Sequence, residues 1–161
     1  RPLSTFGLTT LGDWRAGIRY VAVAGALMVP LLWIGAGDAA LQAEYPLPRD
    51  AWGFNAWTPF AWALTYALYY VGWEFSFRGV LQLGLEPRLG PALSLLVPLV
   101  GSTLIHVRKP FGETFSAIPG AFLLGFLAWR TRSTWWPVLL HLWIGTLIDC
   151  FSWWRGGMGG P

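Results

Sequence analysis

Seven ionisable residues lie within or beside otherwise apolar stretches of this chain: Glu74, Arg78, His106, Lys109, Glu113, His141 and Asp149. Glu74 and Arg78 stand four apart, which puts them on one face of a helix and within pairing range. A structural ion pair is the plainer alternative. Desolvation offsets most of the attraction of a buried pair, so two apolar residues would serve packing as well. Function therefore comes ahead of packing here. His106 follows Ser102-Thr103-Leu104-Ile105 near the end of its stretch. A lone His is more often a packing residue, but three apolar stretches carrying ionisable groups shift that expectation. His141, between Leu140 and Leu142, has no local partner. Asp149 is eight residues further on and about 80° around a helix, so it can reach His141 only through a partner or water. Its expected role is a cap at the end of a bundle.

A Glu with one or two His residues in a watered pocket suggests general acid/base chemistry. Glu74 would accept a proton from water, with Arg78 holding it ionised and oriented. His106 and His141 would share that work or stabilise an oxyanion. A metal site is the competing chemistry: His106, His141 and Glu74 form a donor set that a divalent metal such as zinc accepts. No cofactor is required by the sequence. The zinc helix His-Glu-x-x-His, the Gly-x-Ser-x-Gly elbow and the P-loop are all absent. The single Cys allows no internal disulfide.

The elements that must hold these residues are set by composition. Of 161 residues, 55% are hydrophobic and only 12% charged, and the mean hydropathy is +0.48. Soluble domains carry about 25% charged residues, so a soluble globule of this size would expose large apolar patches. The 12 Trp suit membrane interfaces. Ten Arg and one Lys give a net charge of +3. That excess fits the faces of a membrane protein better than a nucleic-acid-binding stripe, so nucleic acid is excluded as a partner and a lipid bilayer is implied.

A spanning helix needs about 20 mostly apolar residues. Five stretches qualify as candidates: Tyr20 to Ala36, Trp57 to beyond Leu81, Pro91 to Val107, Thr114 to Trp129 and Trp135 to Trp154. The expected fold is an all-α polytopic membrane bundle of about five spans with a polar intramembrane pocket. It forms one domain over 1–161, with a frayed tail at 156–161. The longest connection is Gly37 to Gly53, with Pro46 and Pro48 breaking any helix; Ser133 or Thr134 would cap the fifth helix. Five spans put Arg1, Arg15, Arg19, Arg88, Arg130 and Arg132 on the N-terminal side and Arg49, Arg108, Lys109 and Arg155 opposite. The excess favours a cytoplasmic N-terminus. The chain opens at Arg1 without a Met, as a fragment or processed form would. No signal peptide is visible.

Trp73-Glu74-Phe75-Ser76-Phe77-Arg78-Gly79 resembles the first motif, Glu-Glu-x-x-x-Arg, of the CPBP (Abi) intramembrane proteases. That family includes type II CAAX prenyl endopeptidases and bacteriocin-processing or self-immunity proteins. Its second motif is Phe-x-x-x-His and its third His-x-x-x-Asn or Asp. Glu74 and Arg78 match the first, His106 the second and His141 the third, in order, over a core of roughly 57–151. Three positions depart from the pattern: Trp73 stands for the first Glu, Ser102 for the Phe and Gly145 for the Asn. A branch of the family has Trp-Glu in the first motif and Lys-Pro-x-x-Glu after the His. Lys109-Pro110-Phe111-Gly112-Glu113 has that form. On this resemblance Glu113 supplies the missing carboxylate; equally, it is a residue favoured near a helix N-terminus by the dipole.

The resemblance implies an intramembrane endopeptidase of a bacterial or archaeal cytoplasmic membrane, acting on a membrane-associated protein or peptide. Glu74 would be the base, with Arg78, His106 and His141 completing the site and Lys109, Glu113 and Asp149 supporting it. Trp73 and Gly145 instead favour a non-catalytic scaffold or immunity protein, and a small proton or ion pathway is a further rival. Oligomeric state leaves no signal in the sequence. Straight threading puts Glu74 and His141 toward the N-terminal side and His106 toward the other, on the order of 10 Å deeper. A tilt, or a bend at Pro98, would have to close that gap.

Overall fold

The computed structural model describes residues 2–8, 11–47 and 57–157, all in helices and short connections, with no strand among them. After a 3-10 turn at Leu3–Phe6 the helices are α1 (Trp14–Gly35), α2 (Ala39–Glu44), α3 (Thr58–Glu74), α4 (Glu86–Ile105), α5 (Phe111–Thr131) and α6 (Trp135–Gly157). α3 runs without interruption into a π-helical segment, Phe75–Leu83. The fold is therefore the expected all-α bundle.

Caps set several boundaries. The Asp13 carboxylate accepts the Ala16 N–H at the start of α1, and Asp38 accepts the N–H groups of Ala40 and Leu41 at the start of α2. Each satisfies donors that a helix N-terminus leaves free. At α6 the Ser133 hydroxyl accepts the Trp135 N–H at 3.2 Å. Thr134, the other expected cap, donates its hydroxyl to the Gly7 carbonyl instead.

The boundaries differ from the expected ones in instructive places. α1 begins at Trp14, ahead of Tyr20, because Asp13 caps it. The connection after Gly37 contains the short helix α2, nucleated by Asp38; its later part, with Pro48, Arg49 and Gly53, lies outside the described residues. The element from Glu86 holds one non-helical residue, Gly90, at φ 74° and ψ 168°. Only glycine takes that conformation freely, so the regular part of α4 starts at Pro91, as expected. The interruption is at Gly90 rather than Pro98. α6 continues through Gly156 to Gly157, which shortens the expected tail; residues 158–161, like Arg1, lie outside the described residues.

α6 packs against α1, α3 and α5. Small residues let helices approach closely where lipid gives no hydrophobic drive. A Cβ at Gly17 would sit 2.1 Å from the Trp136 indole, and the Trp143 indole N–H donates to the Gly25 carbonyl at 3.3 Å. Ala24, Leu124, Leu127, Trp136 and Leu140 form the apolar centre of this contact. The outer surface is apolar as well: Leu27, Ile34, Leu68, Leu104 and Phe115 are all more than 60% exposed, which is a lipid-facing arrangement.

Three helices, Trp14–Gly35, Glu86–Arg108 and Phe111–Thr131, are long and apolar enough to cross a membrane. The buried carboxylates Glu74 and Asp149 lie on the remaining two long helices. α3 has 17 residues before its winding changes, and α6 holds His141 and Asp149 in its length.

Candidate active site

Five polar residues, Tyr66, Tyr70, Glu74, Arg78 and Gln82, recur every fourth position along α3 and the π segment, and all are buried. In an α-helix each four-residue step overshoots a full turn by about 40°. A π-helix closes its bonds one residue later, so the same step falls short of a turn. The change of winding at Glu74–Phe75 therefore holds Glu74, Arg78 and Gln82 toward the bundle instead of letting them drift into lipid. The Gly84 N–H bonds the Gly79 carbonyl at 2.8 Å, the five-residue span of π winding. Small residues on α5 receive the row: Arg78 Nη2 donates to the Ala121 carbonyl at 3.4 Å, and Gln82 Nε2 to that of Gly125 at 2.7 Å.

Glu74 is fully buried, and one of its oxygens has two partners. Arg78 Nη1 lies 3.2 Å from Oε1, and His141 Nδ1 lies 2.5 Å from the same atom. Oε2 has no partner among the described residues. A carboxylate only accepts, so His141 Nδ1 carries a proton and Nε2 is its remaining polar atom. The arrangement fixes the tautomer of His141 and the direction of its ring.

A second acid–histidine pair lies across an indole. His106 Nε2 stands 4.0 Å from Glu113 Oε1, and His106 Nδ1 lies 2.6 Å from the Ser102 carbonyl. That carbonyl can only accept, so Nδ1 is protonated and Nε2 of the neutral ring presents a lone pair. Trp73 separates the two pairs. Its ring meets His106 edge-to-face at 6.1 Å and His141 edge-to-face at 6.4 Å between centroids. Thus the structure brings His106 and His141 to one indole, with His106 facing Glu113 at 4.0 Å while His141 meets Glu74.

Residues around Glu113 tether α2 to this end of the bundle. The Tyr45 hydroxyl donates to Glu113 Oε1 at 3.0 Å, and Glu44 pairs with Lys109. Burial, then the neighbouring Glu113 charge, pushes the Tyr45 phenol well above its ordinary range. Partial burial works against the Lys109 charge, but the hydrogen bond to Glu44 and the fields of Glu113 and Glu44 outweigh it, so its pKa is raised. Asp149 accepts the Leu47 N–H at 2.9 Å and lies beside Tyr66. It thus ties the segment after α2 to α6. The Tyr70 hydroxyl bonds that of Tyr66 at 3.0 Å, and the Tyr70 ring packs on His141 at 4.4 Å.

Gly145, where the motif pattern has Asn, has a steric cause. A Cβ there would lie 2.1 Å from Tyr70 Oη and 2.5 Å from Tyr66 Oη. Sequence reasoning missed both tyrosines, together with Glu44, Tyr45 and Gln82. The four-residue spacing from Tyr66 to Gln82 was the available signal.

As a metal site the arrangement is poor. Among the described residues no three His, Cys, Asp or Glu side chains gather around one point. Glu74 Oε1 is also held by a guanidinium, which opposes a cation there. Glu74, His106 and His141 do not fit a resident divalent metal.

No curated protein and no solved structure matches this chain. A family described as type II CAAX prenyl endopeptidase Rce1-like matches residues 55–147, more than half of the chain, and the matched span holds Glu74, Arg78, His106, Glu113 and His141. The protein is an integral membrane protein, with three helices apolar enough to span, and it belongs to the Rce1-like family of type II CAAX prenyl endopeptidases.

Proposed function

We propose that the protein is an intramembrane endopeptidase that hydrolyses membrane-associated protein or peptide segments. The observation that carries this reading is the Glu74 carboxylate. It is buried and held through Oε1 by Arg78 and His141, with Oε2 lacking a partner. Glu74 Oε2 takes a proton from water. The resulting hydroxide oxygen bonds to the substrate carbonyl carbon while the carbonyl electron pair moves to its oxygen. Collapse of the adduct breaks the C–N bond, and Glu74 returns its proton to the leaving amine. His106 Nε2 orients the water. Glu113 sets His106 and supplies the carboxylate that the first motif lacks. His141, protonated at both nitrogens in the charged state, donates from Nε2 to the developing oxyanion. Lys109 and Asp149 support the site through α2 and the segment after it.

The protein sits in the cytoplasmic membrane of a bacterium or archaeon with its N-terminus cytoplasmic, as the six-to-four balance of basic residues favours. One feature favours a second reading, a non-catalytic scaffold or immunity protein: Trp73 occupies the position of the first motif carboxylate.

The test compares wild type with Glu74→Gln in the host, mapping terminal peptides of membrane proteins by mass spectrometry. Termini that vanish in the variant establish a peptidase and name its substrate. An unchanged profile, with both proteins equally abundant and folded, moves the reading to the non-catalytic alternative.

A further inference from the structure

Two buried hydroxyls, on Tyr66 and Tyr70, have no part in the mechanism above. Both press on α6 at one point. The missing side chain at Gly145 is what seats them there, since a Cβ would fall 2.1 Å from Tyr70 Oη. Gly145 follows His141 by four residues, which places the notch on the same helix face about one turn along. The Tyr70 ring packs on the imidazole of His141, the residue whose Nδ1 meets Glu74.

The hydroxyl pair also has a direction. Asp149 lies beside Tyr66, and a carboxylate only accepts. The Tyr66 proton therefore turns toward Asp149, and the Tyr66 oxygen accepts from Tyr70 at 3.0 Å. The Tyr70 proton is held only by a neutral oxygen. Rotation about one C–O bond releases it toward a better acceptor, and charge-assisted hydrogen bonds are roughly twice as strong as neutral ones.

We propose that Tyr70 is a further catalytic residue, whose hydroxyl turns from Tyr66 to the substrate carbonyl oxygen and donates to it as negative charge develops. No proton is transferred; one hydrogen bond exchanges partners while the C–O bond of the adduct carries the charge. The assignment rests on the peptidase reading, in which His141 Nε2 is the first donor and Tyr70 Oη the second. Tyr66 acts as the resting acceptor, and Gly145 gives the hydroxyl its room.

The test uses the full chain in detergent micelles with a peptide containing the cleavage site found by terminus mapping. Tyr70→Phe keeps the ring and the notch and removes the donor. Its kcat falls about 100-fold, the size of a lost oxyanion donor, while KM stays within about threefold. Tyr66→Phe removes the resting partner but keeps the donor, and kcat stays within about threefold. In a Tyr66→Phe/Tyr70→Ala background, which clears both hydroxyls from the notch, Gly145→Asn places an amide donor there and regains about tenfold in kcat. This pair decides the matter if Tyr70→Phe does not fold. Wild-type kcat in Tyr70→Phe, or equal losses in Tyr66→Phe and Tyr70→Phe, overturns the assignment. So does an absence of rescue in the Ala/Asn pair. Failure of the two readings is separable. Glu74→Gln with wild-type cleavage overturns the peptidase reading and Tyr70 with it. An inactive Glu74→Gln beside a fully active Tyr70→Phe overturns Tyr70 alone.

Discussion

Glu74 and His141 are 67 positions apart in the chain, yet Oε1 of one lies 2.5 Å from Nδ1 of the other. The contact joins the end of α3 to the first third of α6 and leaves each residue one polar atom for other work. It also makes Arg78 indispensable, because a buried carboxylate shared with a single imidazole is poorly compensated.

Arg78→Met is predicted to destabilise the protein by about 3–5 kcal/mol, the usual cost of leaving one member of a buried ion pair alone. Removing both charges in Glu74→Gln/Arg78→Met should recover part of that loss. Thermal unfolding in detergent micelles checks both variants. A single variant as stable as wild type would show that Glu74 does not depend on the guanidinium.

His106 and Glu113 are predicted to act as one unit. His106→Ala should lower the Glu74-dependent cleavage rate about 100-fold, within the range for a positioned acid–base group. Glu113→Gln should lower it less, and the double variant should be no worse than His106→Ala alone. Multiplicative losses measured on the same peptide would mean that the 4.0 Å approach carries no coupling.

Gly145→Ala is predicted to destabilise by about 1–3 kcal/mol, because the new methyl collides with two tyrosine hydroxyls and cores resist overpacking. Tyr70→Phe should relieve the clash only in part, since the Tyr66 hydroxyl remains 2.5 Å from the new carbon. Unfolding temperatures of the single and double variants give the answer. A stable, unperturbed Gly145→Ala would mean that the notch is loose.

The Glu44–Lys109 tether is predicted to survive moderately alkaline conditions. The folded state raises the Lys109 pKa, the hydrogen bond to Glu44 and nearby carboxylates outweighing the burial that opposes it. A group whose folded pKa is raised contributes fully below its unfolded value of about 10.5 and loses that contribution as pH rises through the folded value. Hydrogen exchange of α2 should therefore stay protected up to about pH 10 and rise above it. In Lys109→Met it should be faster below that pH, with the two proteins converging above it. Equal exchange in the two proteins at the lower pH would show that the pair does not hold α2.

Cleavage is predicted to be insensitive to chelators, since no three donor side chains converge among the described residues. Dialysis against a strong chelator, followed by the peptide assay with and without added zinc, measures this. A rate lost with the chelator and restored by zinc would overturn the metal-free mechanism.

Much of the site was legible in the sequence because ionisable groups are costly in an apolar chain. Glu74, Arg78 and His141 stand out for that reason, and they meet. His106 was legible as a site residue but not in its position. Straight threading separates it from His141, whereas α4 begins its regular course after Gly90 and ends with the ring against Trp73. Tyr66 and Tyr70 were not legible, since aromatic residues on an apolar helix read as packing until the gap at Gly145 shows where their oxygens go. Glu44 and Tyr45 read as polar loop residues, because no local pattern links them to Lys109 and Glu113, some 65 positions away. The number of spans was set by hydropathy alone, and hydropathy is diluted where the polar row and His141 sit.

The π winding from Phe75 to Leu83 makes this part of the chain intolerant of changes in length. It works as a phase corrector: the α-helical overshoot accumulated from Tyr66 to Glu74 is taken back over the next turns, so a single stripe stays aimed inward. Deleting one residue between Phe75 and Leu83 would rotate everything after it by nearly a quarter turn and carry Gln82 out of reach of α5. A substitution there is a local event, but an insertion or deletion is a change of azimuth for the rest of the helix. The residue count between Glu74 and Gln82 is therefore set by the geometry of the candidate site.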